Sequence, residues 1–248
     1  MLVGISGKMG SGKNLVCTII QGLTAAKKHN IENPSFEWIK KYYINSIWEQ
    51  KAFADKLKDM VCLLIGCTRE QLEDREFKEK ELGEEWWYTY GRIGNVDILV
   101  SYLDMDKEFK NNNNAYIEKL TPRELLQIIG TECIRDKVHP NAWVNALFAD
   151  YKSCSLPDET TFIDDEGFIR KNSSQWIITD MRFPNELEAV KRRGGITIRV
   201  NRPGLAESNH ESETSLDSAI FDYIINNDSS IEDLIHTVSL ILKKEKII

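Results

Sequence analysis

The chain predicts an α/β fold, a parallel sheet with helices on both faces and a helix-rich insertion between its two ends. Three observations carry this. An apolar run from Met1 to Ser6 turns through glycines straight into a helix with apolar Leu15, Val16, Ile19, Ile20 and Leu23. A second apolar run, Trp176 to Asp180, leads into a helix from Pro184 that Gly194-Gly195 stops. A third, Ile196 to Val200, follows at once. Strand–helix alternation at both ends reads as parallel strands covered on both sides. The length suits one domain over 1–248, with core segments 1–53 and 176–248 around an insertion at about 54–150.

Taken in order, the first strand ends in Gly7-Lys8-Met9-Gly10-Ser11-Gly12-Lys13, which fits the phosphate-binding pattern G-x-x-x-x-G-K. Any Cβ would keep the backbone from wrapping a phosphate, so the pattern needs glycine. The loop amides and the positive helix N-terminus bind the anion, and Lys13 adds a point charge. Gly7, Gly10, Ser11, Gly12, Lys13 and Asn14 are therefore the expected nucleotide-binding residues. Asn14 stands where Ser or Thr is usual. Its amide oxygen can accept from a water on Mg²⁺, an ion that gives up its hydration reluctantly. A loop that binds nucleotide without turning it over is the competing reading.

Residues 30–45 read as an aromatic and basic connector, and Ile47 to Phe53 as a strand. A helix from Ala54 carries Leu57, Met60, Val61 and Leu64 at helical spacing, and a charged helix is expected from Arg69 to Leu82. Residues 83–118 read as a largely irregular insertion with Asn111 to Asn114 at its tip. Thr121, Pro122 and Glu124 form a capping box with the favoured first-turn proline, opening a helix that runs toward Arg135. Another helix starts near Pro140 and holds Trp143, Val144 and Leu147. Residues 153–175 form a polar excursion. The last helix is expected to be capped by Ser229 with Glu232 at the third position.

Composition narrows the function. The net charge of −7 speaks against a sequence-independent nucleic-acid clamp. Five cysteines, an odd number without a C-x-x-C pair, suit reduced thiols in a cytoplasm and no zinc site. No stretch of eighteen apolar residues and no leader-like N-terminus occurs, so neither secretion nor a membrane partner is expected.

The second informative segment is Asp180-Met181-Arg182-Phe183-Pro184-Asn185-Glu186. Ligands of open α/β sheets bind beyond the carboxyl ends of the strands. There Asp180 can orient waters on Mg²⁺, Arg182 can reach a phosphate, and Glu186 lies one turn into the helix. The alternative is local: Asp180 caps the helix and Arg182 pairs with Glu186.

This segment resembles the signature of the bacteriophage deoxynucleoside monophosphate kinases. So do the glycine loop, Phe53-Ala54-Asp55-Lys56-Leu57-Lys58, Gly130-Thr131-Glu132 with Arg135, Arg199 to Gly204, and the His-x-x-Glu of His210 to Glu213. The resemblance spans most of the chain, leaving 83–118 and 153–175 unmatched. It implies an adenylate-kinase-like P-loop kinase fold with a helical lid and acceptor-binding insertion. The implied reaction is transfer of the γ-phosphoryl of ATP to deoxynucleoside monophosphates, with Mg²⁺. A homodimer acting on small nucleotides is implied as well.

Phosphoryl transfer needs alignment and charge neutralisation more than a general base, so arginines matter most. Lys13, Arg135, Arg182 and Asp180 are the expected catalytic residues, with Asn14 and Asp180 reaching the metal through water. Arg135 is the expected lid arginine. Asp55, Lys56, Arg69, Trp143 and Glu186 are the expected acceptor-side residues, with Arg75 beside Arg69. Each has a plainer reading. Arg69 and Arg75 suit a solvated face, Trp143 a core position, and Asp55 and Lys56 a helix start. Trp86, Trp87 and Tyr88 suit an aromatic plug, and His210 a surface loop. A P-loop kinase for another small acceptor such as dephospho-coenzyme A, and a non-catalytic nucleotide-binding protein, are the competing functions.

Overall fold

A computed structural model describes residues 1–93, 96–105, 116–152, 161–163, 169–171, 174–205 and 211–248. Its strands are β1 (Leu2–Ser6), β2 (Glu49–Lys51), β3 (Trp87–Ile93), β4 (Val96–Ser101), β5 (Glu118–Lys119), β6 (Thr161–Ile163), β7 (Ile169–Lys171), β8 (Trp176–Met181), β9 (Ile196–Asn201) and β10 (Tyr223–Asn226). The α-helices are α1 (Lys13–Lys28), α2 (Phe36–Tyr42), α3 (Asp55–Ile65), α4 (Arg69–Glu73), α5 (Arg75–Glu79), α6 (Pro122–Gln127), α7 (Ala142–Phe148), α8 (Pro184–Arg192), α9 (Glu211–Thr214) and α10 (Ile231–Lys244). Two compact units result: Met1–Phe53 with Val144–Ile248, and Ala54–Trp143.

The first unit is built on a five-stranded sheet in the order β10-β9-β1-β8-β2, with every pairing parallel. Alternation along the strands assigns side chains to two faces. Val3, Ile5 and Ile177 join one core with α1, α2 and α10, through Val16, Ile20, Ile39, Leu234 and Val238. Leu2, Trp176 and Ile178 join the other with α7 and α8, through Leu147, Phe148, Leu187 and Val190. Helices therefore cover both faces, as the alternation in sequence predicts. Full burial of each Ile or Leu contributes about 1.5–3 kcal/mol, which makes these two layers the main stabilising term. Gly4 lies within the second layer, where a Cβ would stand 3.1 Å from the Met181 sulfur.

The sequence reading missed β10, a short run between polar segments whose apolar residues look like the approach to the last helix. Residues 30–45, expected as a connector, contain α2, whose N-cap Ser35 accepts from Trp38 N at 3.2 Å. The last helix is capped one residue later than expected, by Ser230 with Asp233 as the third residue. Residues 153–175 fall largely outside the described residues, apart from the antiparallel pair β6–β7.

The second unit packs Val61, Leu72 and Leu125 at its centre, with Leu57, Phe77, Leu82, Trp86 and Ile129 around them. Two expectations are corrected here. The charged helix from Arg69 breaks at Asp74, whose backbone turns extended and whose carboxylate caps α5 by accepting from Phe77 N at 2.7 Å. Such an Asp competes with helix continuation. Residues 83–118 are not mainly irregular, because β3 pairs antiparallel with β4 and β5. The aromatic and β-branched residues of Trp87–Tyr90 and Ile98–Val100 favour strands; the tip Asn111 to Asn114 lies outside the described residues. Trp87 packs on Tyr102 and donates its indole N–H to Leu82 O at 2.9 Å, a structural anchor. From Ile128 to Val138 the helix winds as a π-helix, seen in the bond from His139 N to Ile134 O.

Candidate active site

The glycine loop sits at the carboxyl end of β1, flanked by β8 and β9. Fully buried β1 fixes where the loop starts. At Gly7 a Cβ would lie 2.5 Å from both Val200 O and Ser11 Oγ. At Gly12, the N-cap of α1, φ is 101°, a conformation that disfavours every other residue. A Cβ there would also lie 2.5 Å from Asn227 Nδ2. That amide donates to Ser11 O at 2.9 Å and so holds the loop from the end of β10.

The arrangement fits a nucleotide polyphosphate. Among the described residues no side chain caps α1, and no acidic residue lies in its first turn, so its positive end suits an anion. Ser11 Oγ is buried beside the Gly7 cradle, with no hydrogen-bond partner among the described residues. Lys13 folds back over the loop, donating to Gly7 O at 2.6 Å and Lys8 O at 2.8 Å. Burial and the nearby Arg182 push its ammonium down to about 8, with Arg199 adding to the fall and Glu213 and Asp180 opposing it. Among the described residues no cluster of three His, Cys, Asp or Glu side chains is placed to hold a metal. Asn14 is exposed at the start of α1.

Asp180 and Arg182 come to this loop because of the β1–β8 register. The pairing Gly4↔Ile178 becomes Ser6↔Met181, so β8 carries an extra residue in the stretch holding Asp180. The Asp180 carboxylate accepts from Phe53 N at 2.7 Å and is close enough to act on the Lys13 charge. Arg182 Nη1 donates to Glu213 Oε1 at 2.7 Å, and Glu213 Oε2 accepts from the loop amide of Met9 at 2.8 Å. Arg199 donates to Ser6 Oγ at 3.0 Å and pairs with Asp217, which also lies 4.0 Å from Lys8. Arg202 Nη1 reaches Gly10 O at 3.5 Å.

Glu186 requires correction as an acceptor-side residue. It is 4% exposed, and its Oε2 accepts from Arg182 N at 2.7 Å and Phe183 N at 3.0 Å. The carboxylate satisfies the amides that open α8, as the third-position acid of a capping box does. In the alternative reading Arg182 pairs with Glu186; its guanidinium donates to Glu213 Oε1 at 2.7 Å.

The remaining expected residues lie in the second unit. Arg69 donates to Asp55 O at 2.8 Å, and its two terminal nitrogens meet the carboxylates of Asp55, Asp59 and Glu73. Arg69 and Asp55 thus stand in a surface ion network that joins α3 to α4, the plainer reading of the charged helix. Arg75 and Lys56 are exposed. Trp143 is 7% exposed and donates its indole N–H to Gly130 O at 2.8 Å. It is a packing residue that steadies the π-helical turn, not an open stacking face. Arg135 lies half-buried on that same π-helix. His210 lies outside the described residues.

Residue-level reasoning missed Arg199, Glu213, Asp217 and Asn227. Arg199 and Glu213 fall in blocks quoted only for resemblance. Asn227 follows the strand the sequence did not reveal.

Comparison with known proteins shows the family. A family model described as deoxynucleotide monophosphate kinase matches residues 1–238. The chain is similar to the deoxynucleoside-5'-monophosphate kinase of Escherichia phage T5, 21% identical over 94% of this chain and 92% of that protein. It is similar to the deoxynucleotide monophosphate kinase of Escherichia phage RB69, 26% identical over 98% and 99% respectively. It also matches the deoxynucleotide monophosphate kinase of Enterobacteria phage T4, 28% identical over 52% of this chain and 48% of that one. With a phosphate-wrapping loop at the head of a parallel sheet, Lys13 folded over it and a match along nearly its whole length, the chain belongs to the deoxynucleotide monophosphate kinase family of phosphotransferases.

Proposed function

We propose that the phosphoryl donor is ATP, bound with Mg²⁺, and that the glycine loop holds its phosphates. The observation carrying this is the loop itself: Lys13 tied to Gly7 O and Lys8 O at the open N-terminus of α1. Lys13 and the loop amides bind the donor phosphates, and Arg182 neutralises charge on the transferred group. Arg199 and Asn227 hold the loop in shape. Asp180 and Asn14 orient waters of the metal, which when bound supplies charge neutralisation between the phosphates. Arg135 is the lid arginine, and exposed Lys56 is an acceptor-side cation. A host-cytoplasmic location and a homodimer rest on the resemblance and belong to this proposal. No helix among the described residues is long and apolar enough to cross a membrane.

The test is an ADP-release assay with Mg·ATP against dAMP, dCMP, dGMP, dTMP, the matching ribonucleotides and dephospho-coenzyme A. Turnover confined to deoxynucleoside monophosphates is expected. Turnover with none of them, beside measurable ATP binding, would sink the proposal and leave a nucleotide-binding protein.

The lowered Lys13 pKa gives a second test. Phosphate favours the charged ammonium, so binding raises that pKa. Below about 8 the group is charged in both states and affinity is insensitive to it. Above that, ligand must drive protonation of the free loop, and affinity falls by up to about tenfold per pH unit. Titration calorimetry at pH 7 and 9, in buffers of different ionisation heat, is expected to show weaker binding with proton uptake at pH 9. Equal affinity without uptake would count against a contact between Lys13 and phosphate.

A further inference from the structure

Glu213 makes an unusual pair of contacts for a carboxylate next to an anion-binding loop. Its side chain is 12% exposed. One oxygen accepts from the Met9 amide, inside the glycine loop, at 2.8 Å, and the other from Arg182 at 2.7 Å. It is also near enough to Lys13 to raise the ammonium's proton affinity. A loop amide, a guanidinium and an ammonium converging on one anion are the donors a phosphate group would use. Glu213 reaches them from α9, more than two hundred residues along the chain from Met9.

Two anions cannot share one set of donors. We propose that Glu213 is an internal anion that occupies the phosphate donors of Met9 and Arg182 and must be displaced when nucleotide binds, so that it sets the minimum charge a ligand needs. The inference rests on reading the loop as the donor-phosphate site. A triphosphate offers several negative charges and further contacts along the α1 N-terminus, and so it outcompetes one carboxylate. Orthophosphate offers little beyond what Glu213 supplies and is excluded. The short α9 helix is released from the loop at the same moment, which couples donor binding to a shift of residues 211–214.

Binding of Mg·ATP, and of inorganic phosphate as its competitor, would be measured by titration for the wild type, Glu213→Gln, Glu213→Asp and Lys13→Ala. Glu213→Gln keeps the shape and removes the charge; it is expected to bind Mg·ATP about tenfold tighter, the scale of a lost charge-assisted hydrogen bond. It is also expected to admit phosphate as a competitor where the wild type does not. Glu213→Asp keeps the charge but shortens the reach, and an intermediate gain is expected. A residue that only positioned Arg182 would give weaker binding or a lower kcat on substitution, and that result, or unchanged affinity in both variants, overturns the proposal. Lys13→Ala separates the two readings. If it loses ATP binding while the Glu213 variants bind as the wild type does, only the internal anion is refuted. If it binds ATP normally, the loop assignment falls and this inference falls with it.

Discussion

Replacing Lys13 by alanine is expected to lower kcat/KM by about 10²–10³-fold, the usual effect of removing one preorganised charge from a transferring phosphoryl group. Lys13 is anchored by Gly7 O and Lys8 O, so its ammonium is aimed before ligand arrives and costs little to reorganise. The variant loses that charge and the two bonds from Lys13 to Gly7 O and Lys8 O, of which Lys8 O keeps the Ser11 amide at 3.1 Å. Nearby Arg182 and Arg199 no longer meet repulsion from the ammonium, and they retain part of the anion affinity. The loss should therefore fall on turnover as well as on binding. Steady-state kinetics over a range of Mg·ATP, with thermal unfolding as a control for the fold, read it. Retention of both ATP affinity and turnover would refute the loop assignment.

The second large effect is expected at Gly7→Ala. The new Cβ would sit 2.5 Å from Val200 O and 2.5 Å from Ser11 Oγ. Ser11 can rotate its hydroxyl, but Val200 O belongs to β9, whose backbone is held by β10 on its far side through Val200↔Ile225. The strain must then be taken by the loop or by the edge of the sheet. Overpacking of this kind costs about 1–3 kcal/mol, and for a chain of this size each kcal/mol lowers Tm by roughly 2–4 °C. Calorimetry is expected to show that fall together with weaker nucleotide binding, since the loop cannot move off Val200 and still wrap a phosphate. A variant with wild-type Tm and affinity would show that the close approach is not required.

Features legible in the sequence are those whose partners are neighbours along the chain. The loop Gly7 to Lys13, the helix that follows it, the Thr121–Glu124 capping box and the β8–α8 turn each depend on residues a few positions apart. Glu186 shows the limit of such reading. Its spacing from Asp180 and Arg182 suits a substrate contact and a cap equally, and only its burial and its bonds to Arg182 N and Phe183 N decide for the cap. Trp143 is similar: helical spacing admits a stacking face or a core residue, and the bond to Gly130 O decides. The β3–β4 hairpin was legible and was missed: Gly94-Asn95, between the aromatic and β-branched runs Trp87–Ile93 and Val96–Ser101, is a two-residue hairpin signal.

By itself the sequence determined the phosphate-binding loop, the strand–helix alternation around it and the family resemblance, because these rest on local periodicity and on contiguous residue types. The tertiary structure decided which charges surround the loop. Glu213 at Met9 and Arg182, Arg199 at Ser6, and Asn227 at Ser11 join residues far apart in sequence. Their meeting depends on β9 and β8 flanking β1, and strand order leaves no local trace in composition or spacing. A carboxylate's role follows from the donors it meets, and the sheet chooses those donors.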